Sequence, residues 1–139
     1  MVITQNRIAV CILLLLVALI APVSPQETKD IVVHANGDGT IKIGDEEFKL
    51  TSVVVKLFSD SKAEINLISD ITIFISGTWS RATNSPNQIN LKITGGATGG
   101  GVEAAGELLI TDRKSIDRLS LQGTTKTTHK ELSVTFQAK

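Results

Sequence analysis

The chain has 139 residues, and its 14 basic and 14 acidic side chains balance to a formal net charge of zero. Because the chain has no basic excess and no Tyr to stack on bases, its composition argues against a nucleic-acid partner. The low aromatic content, 4% of the residues, also disfavours a carbohydrate site built on ring platforms.

The N-terminal region predicts a secretory signal peptide. A continuous apolar run at residues 8–21 follows a single positive charge at Arg7 and precedes a helix-breaking polar segment. The run is shorter than the roughly 20 residues that span a bilayer as a helix, which favours a signal peptide. An uncleaved membrane anchor is the alternative. We expect a signal helix within residues 1–26, with cleavage at a position in 21–26. The protein would then be secreted or periplasmic.

The remaining segment, residues 27–139, is predicted to be one domain without disulfides. Cys11 is the only cysteine and lies in the apolar run, so removal of the signal would leave none. Arg7 is the only charged residue before Glu27, so residues 27–139 carry 13 basic and 14 acidic side chains, a net charge of −1. Packing and hydrogen bonds alone must then stabilise this domain.

Alternation of apolar and polar residues with a period of two predicts a succession of β-strands. Clusters of Gly, Asn, Asp and Ser between these runs predict turns, including one at residues 36–39. The predicted strands, in chain order, are 31–35, 40–43, 48–58, 63–68, 71–79, 88–94, 102–111, 115–122 and 130–139.

The run at residues 71–79 is the most β-like stretch and ends at the only Trp of the chain. Its polar positions alternate with positions predicted to face a core. The predicted core face comprises Ile71, Ile73, Ile75, Gly77 and Trp79.

These eight or nine strands, with no amphipathic helix among them, indicate an all-β domain. Nearly every connection has hairpin length, so a meander of sequential antiparallel neighbours is the simplest topology. Such a meander forms either a closed or partly closed small barrel or a two-sheet β-sandwich. Closure is favoured because it removes exposed strand edges.

Residue patterns that support catalysis or metal binding are sparse. His34 lies in the first predicted strand and His129 at the start of the last. In a closed meander these two strands pair, so the histidines would form half of a metal site, with Asp30 or Glu131 as further ligands. The alternative is that both histidines are solvent-facing side chains at strand ends without a metal. No serine lies in a Gly-x-Ser-x-Gly elbow, and no cofactor is expected.

A glycine-rich stretch connects two of the predicted strands and is a candidate contact loop. A phosphate-binding loop requires a strand-to-helix turn, whereas these glycines run from strand to strand. Loops on rigid scaffolds often carry binding residues. The candidate contact residues are Gly95, Gly96, Gly99, Gly100 and Gly101, together with Trp79.

The triplet Gly77-Thr78-Trp79 resembles the Gly-x-Trp motif of lipocalins and related ligand-binding barrels. In that family the motif starts the first barrel strand, and its Trp closes one end of the barrel. Here the triplet ends a strand and follows several others, so it does not assign the chain to the family. It predicts instead that Trp79 is a packing plug at one end of the fold.

The sequence therefore predicts an exported, non-catalytic β-domain that binds a small apolar ligand or a protein partner. A small ligand would require a cavity lined by residues such as Ile73, Ile75, Leu91 and Leu108. A structural protein of the cell envelope is one alternative. A metal-dependent or hydrolytic enzyme that uses the two histidines is the other. Contact with a membrane is expected only through an uncleaved N-terminal segment.

Overall fold

The computed structural model describes residues 29–96 and 101–139, and within these ranges it contains eight β-strands. The predicted signal helix, the 21–26 cleavage range, Gly99 and Gly100 lie outside the described residues. The strands are β1 (Ile31–Ile43), β2 (Glu46–Leu57), β3 (Lys62–Ile68), β4 (Thr72–Ala82), β5 (Ser85–Gly96), β6 (Val102–Ile110), β7 (Ile116–Thr125) and β8 (Glu131–Ala138). In the described part of the chain, no helix is long and apolar enough to span a membrane.

The strands form a closed barrel in which each strand pairs antiparallel with the next one along the chain. Pairing of β8 with β1 completes the barrel and places Val134 opposite Ile41. The predicted all-β meander and its closure are confirmed, and the alternative sandwich is not formed. Closure pairs the two strands that would otherwise be the edges of an open sheet.

The first strand is longer than predicted because residues 36–39 do not form a turn. The predicted turn is wrong: β1 continues through this segment, with a register shift against β2 between Asn36 and Gly39. A Cβ atom on Gly37 would lie only 2.2 Å from the carbonyl oxygen of Gln137 in β8. Glycine is therefore used here for a close approach of two strands and not for a chain reversal.

Apolar side chains from all eight strands fill the interior, and every buried side chain in the described residues is apolar. In β4, Ile73 and Ile75 are buried in this core, as the alternation predicts. The same prediction is wrong for Ile71, whose surface is 52% exposed. The strand begins one residue later, at Thr72, so Ile71 belongs to the turn before it.

The meander gives the barrel two ends that differ in the chain segments they carry. We call the end with Lys29, Lys139 and the turns β2–β3, β4–β5 and β6–β7 the basal end. The opposite, apical end carries the connections β1–β2, β3–β4, β5–β6 and β7–β8. At the basal end the Asp30 carboxylate accepts a 3.0 Å hydrogen bond from the N–H of Ser59.

Candidate functional site

The interior of the barrel is a packed core at the positions predicted to line a ligand cavity. The exposed fractions of Ile73, Ile75, Leu91 and Leu108 are 4%, 1%, 3% and 0%. A void large enough for a ligand would leave its lining side chains accessible to a water-sized sphere. These four side chains therefore do not border such a void. They belong to the hydrophobic core of the barrel.

Trp79 lies at the basal end, half-buried, with its ring packed against the core. Its indole N–H donates a 2.8 Å hydrogen bond to the carbonyl oxygen of Phe58. Its backbone N–H donates to the carbonyl oxygen of Ser61 at 2.9 Å. The guanidinium of Arg81 lies 6.0 Å from the ring centroid. The polar edge of the ring thus bonds to the β2–β3 turn, as expected of a side chain that closes the end of a barrel.

The glycine-rich stretch begins and ends at positions held by Lys126 of the β7–β8 turn. The backbone N–H of Lys126 donates a 3.0 Å hydrogen bond to the carbonyl oxygen of Gly101. Its Nζ donates to the carbonyl oxygen of Thr94. Gly95 and Gly96 form the end of β5, and Gly101 has a positive φ of 83° just before β6. Both flanks of the candidate contact loop are therefore tied to a third element that sequence analysis did not connect with it.

The two histidines are not brought together. His34 lies in the basal half of β1, where the Oγ of Ser115 donates a 3.0 Å hydrogen bond to its carbonyl oxygen. His129 lies in the apical β7–β8 turn. From His34, β1 runs nine more residue steps to Ile43 at the apical end, and this length is more than about 25 Å. The two histidines therefore lie at opposite ends of the barrel. Within residues 29–96 and 101–139, no group of three or more His, Cys, Asp or Glu side chains is arranged to hold a metal ion.

A groove on the outer wall brings several polar functional groups together. It crosses β1, β8, β7 and β6 and encloses about 390 Å³. Carboxylate, guanidinium, amide and hydroxyl groups face it from neighbouring strands, next to the aliphatic side chain of Leu109. Its lining comprises Asp38, Gly39, Glu107, Leu109, Arg118, Leu119, Ser120, Thr135, Phe136 and Gln137.

A second recess extends this groove along the seam between β6 and β7. The two recesses share Glu107 and Ser120, and the second adds Ala105, Gly106 and Gln122. The combined groove thus runs from Leu109 to Ala105 along β6, four residue steps or about 13 Å. That length matches four or five residues of an extended polypeptide.

Glu107 and Arg118 carry opposite charges in this groove but make no ion pair or side-chain hydrogen bond with any described residue. They occupy diagonal positions, because Glu107 pairs with Ser120 whereas Arg118 pairs with Leu109. Their backbones are therefore offset by two residues along the strands, about 7 Å. Each charge is available to a ligand of opposite sign.

Two other polar groups of the groove already have partners. The carboxylate of Asp38 pairs with the Nζ of Lys139 at 3.3 Å. The amide of Gln137 donates a 3.1 Å hydrogen bond to the carbonyl oxygen of Asp117. These contacts hold side chains at the rim of the groove in place. The charges of Glu107 and Arg118 remain available to recognise a ligand.

Sequence analysis did not single out this groove. Its charged, amide and hydroxyl side chains occupy ordinary outward positions of the strands, and only the pairing of β6, β7, β8 and β1 brings them together. No family model, curated protein or solved structure matches this chain. Its function is therefore inferred from the geometry and charges of its surface.

Proposed function

We propose that this protein is an exported, non-catalytic binding module that holds an extended segment of a partner protein in the outer groove. The observation that carries the proposal is the unpaired diagonal of Glu107 and Arg118 within a recess that follows the strands. The filled interior supports the choice of the outer wall over a small apolar ligand.

The chemistry of the groove specifies the segment it would accept. An extended chain places the side chains of residues i and i+2 on one face, about 7 Å apart. This spacing equals the offset between Glu107 and Arg118. The preferred segment therefore carries a basic and an acidic residue separated by one position. Small polar side chains next to them suit the hydroxyl groups of Ser120 and Thr135.

Binding of defined peptides tests this proposal. Calorimetry would compare hexapeptides that contain Lys-x-Glu or Glu-x-Lys with analogues in which Asn and Gln replace the charged residues. We expect binding by the charged peptides, weakened about tenfold by Arg118→Gln or Glu107→Gln, because each variant removes a charge-assisted contact. Lys49→Gln is the matched control, since Lys49 is an exposed charge on β2, across the barrel from β6.

Site-specific photo-cross-linking in the native host extends the test to the natural partner. A photoreactive residue at Ser120, in the centre of the groove, should give a discrete adduct that Arg118→Gln diminishes. The same residue at the exposed Thr51 on β2 should not give that adduct. If peptides of both types bind equally and adducts are independent of position, the groove is not the binding site. A structural role in the cell envelope would then be favoured.

A further inference from the structure

The two ends of the barrel carry opposite net charges, although residues 27–139 are nearly neutral. Among the side chains of the described residues, counting the basal connections and chain ends with two flanking residues each, seven cations face four carboxylates, a net side-chain charge of +3. The basal cations are Lys29, Lys56, Lys62, Arg81, Arg113, Lys114 and Lys139. The basal carboxylates are Asp30, Asp60, Asp112 and Asp117.

The apical end has the reverse balance. Counted in the same way, three cations face six carboxylates, a net charge of −3 with His129 neutral. The cations are Lys42, Lys126 and Lys130, and the carboxylates are Asp45, Glu46, Glu47, Asp70, Glu103 and Glu131. The barrel therefore has a charge dipole along its axis, with a basic basal end.

Several basal cations are not neutralised locally. Lys62 pairs with Asp60 at 3.6 Å, and Lys139 pairs with Asp38 of the wall. Lys29, Arg113 and Lys114 make no ion pair with any residue in the described ranges. Their side chains are available to an external anionic surface.

The basal end is also where the apolar N-terminal run joins the barrel. Lys29 is at this end, and the adjacent Asp30 is held to the β2–β3 turn by its bond to Ser59. Residue 21, the last of the apolar run 8–21, is eight residue steps from Lys29. That spacer reaches at most about 28 Å. In the uncleaved alternative a segment suited to lipid is therefore tethered to this end, and after cleavage the basic charges of the end remain.

Apolar groups accompany the charges at this end. Val32, the second residue of β1, is 57% exposed and is one of two large apolar side chains found exposed in the described residues. Trp79 is half-buried nearby, and tryptophan is a residue typical of membrane interfaces.

We infer that the basal end docks on a membrane surface that contains anionic lipids, with the apical end directed away from it. Each Lys or Arg near such a surface contributes favourable electrostatic energy, which salt screens. An acidic protein would also suit the basic charges, but it would not account for the exposed Val32 and the Trp79 beside them, which suit the apolar edge of a lipid surface. This inference concerns a different surface from the groove and does not rest on the proposed function.

Vesicle binding tests the inference with the protein purified from its own host. Its association with phosphatidylcholine vesicles is compared with that for mixed phosphatidylcholine and phosphatidylglycerol vesicles, at low and high salt. We expect the anionic lipid to strengthen association and salt to reduce this gain. Arg113→Glu/Lys114→Glu should weaken association with the anionic vesicles at least about tenfold, given roughly 1 kcal/mol per basic residue.

Lys49→Glu/Lys92→Glu is the matched control, because it changes the net charge equally at exposed positions outside the basal end. It should weaken association by less than about twofold. Equal losses in both double variants, or association that does not depend on the anionic lipid, would overturn the inference. Retention of the peptide binding described above would leave the groove proposal standing in either case.

Orientation on the membrane is measured through Trp79, the only Trp in a chain without Tyr. Lipids with a spin label on the headgroup should quench its fluorescence strongly, because the basal end contacts the bilayer. Quenching should fall in Arg113→Glu/Lys114→Glu when equal amounts of protein are bound. Unquenched Trp79 in vesicle-bound protein would show that another face is in contact and would also overturn the inference.

Discussion

The indole N–H of Trp79 donates a 2.8 Å hydrogen bond to the carbonyl oxygen of Phe58, so the last part of β4 is fastened to the β2–β3 turn. The backbone N–H of Trp79 adds a second bond to this turn, at Ser61. A single side chain thus contributes packing and hydrogen bonding at the basal end. Its two contributions can be separated by substitution.

Trp79→Phe should reduce the free energy of unfolding by about 1 kcal/mol, because it removes the bond to Phe58 while most of the ring packing remains. Trp79→Ala should cost about 2–3 kcal/mol, since the ring is half-buried and a fully buried aromatic truncated to Ala costs about 3–5. Urea denaturation followed by circular dichroism measures both. Val32→Ala, at an exposed apolar position, serves as the control and should change stability little. Equal costs for the two Trp79 variants would contradict a role for the bond.

Gly106→Ala should destabilise the barrel by about 1–3 kcal/mol through overpacking. A Cβ atom there would lie 1.9 Å from the carbonyl oxygen of Ser120, so β6 and β7 would have to separate. Gly95→Ala is the matched control, because its Cβ would meet only the movable Oγ of Ser76, at 3.1 Å. It should be neutral or stabilise by a few tenths of a kcal/mol through the unfolded state. Thermal unfolding of the two variants side by side is sufficient, and a loss of stability in Gly95→Ala alone would refute this account.

The alternation of side chains was sufficient to predict most strands and the closed meander. In β8 and at residues 89–93 of β5, for example, every second residue is apolar because one face contacts the core and the other contacts water. The segment at residues 36–39 has the composition of a turn, yet it continues β1. Its glycines are required by the approach of β8, which is a contact distant in sequence that local propensity does not contain.

The candidate site could not be predicted from the sequence, because it too depends on contacts between residues that are distant in the chain. Glu107 and Arg118 are ordinary outward residues of separate strands, and their diagonal relation exists only in the register of β6 against β7. The contacts of Lys126 with Thr94 and Gly101 likewise join elements that are far apart in the chain. Local patterns specify which face of a strand is buried. They do not specify which outward residues become neighbours.

Leu108→Ala should reduce the free energy of unfolding by about 2–5 kcal/mol if the interior is the solid core observed. Leu108 is fully buried, and its truncation leaves a cavity that the neighbouring strands cannot fill completely. Ile71→Ala, at a position 52% exposed, should cost far less. Denaturant unfolding measures both values.

The same interior predicts that the native protein does not bind an apolar fluorescent dye such as anilinonaphthalene sulfonate. A dye titration of the native protein, with Leu108→Ala for comparison, measures this directly. Saturable binding by the native protein that is lost on substitution of Leu108 would contradict a filled interior. It would return the small apolar ligand to first place among the functions considered.

Lys126→Met should loosen the apical end around the glycine-rich stretch while leaving the rest of the barrel unchanged. The Met side chain keeps most of the aliphatic stem of Lys126, whose Cδ lies 3.4 Å from the point that a Cβ atom on Gly101 would occupy. It removes the Nζ bond to the carbonyl oxygen of Thr94. Because this bond is exposed, we expect amide hydrogen exchange at Gly96 and Val102 to increase only about two- to fivefold. The amide of Trp79, at the basal end, is the internal reference and should not change. Lys49→Met controls for the loss of an exposed charge, and an equal increase in that variant would show that the apical bond does not restrain the stretch.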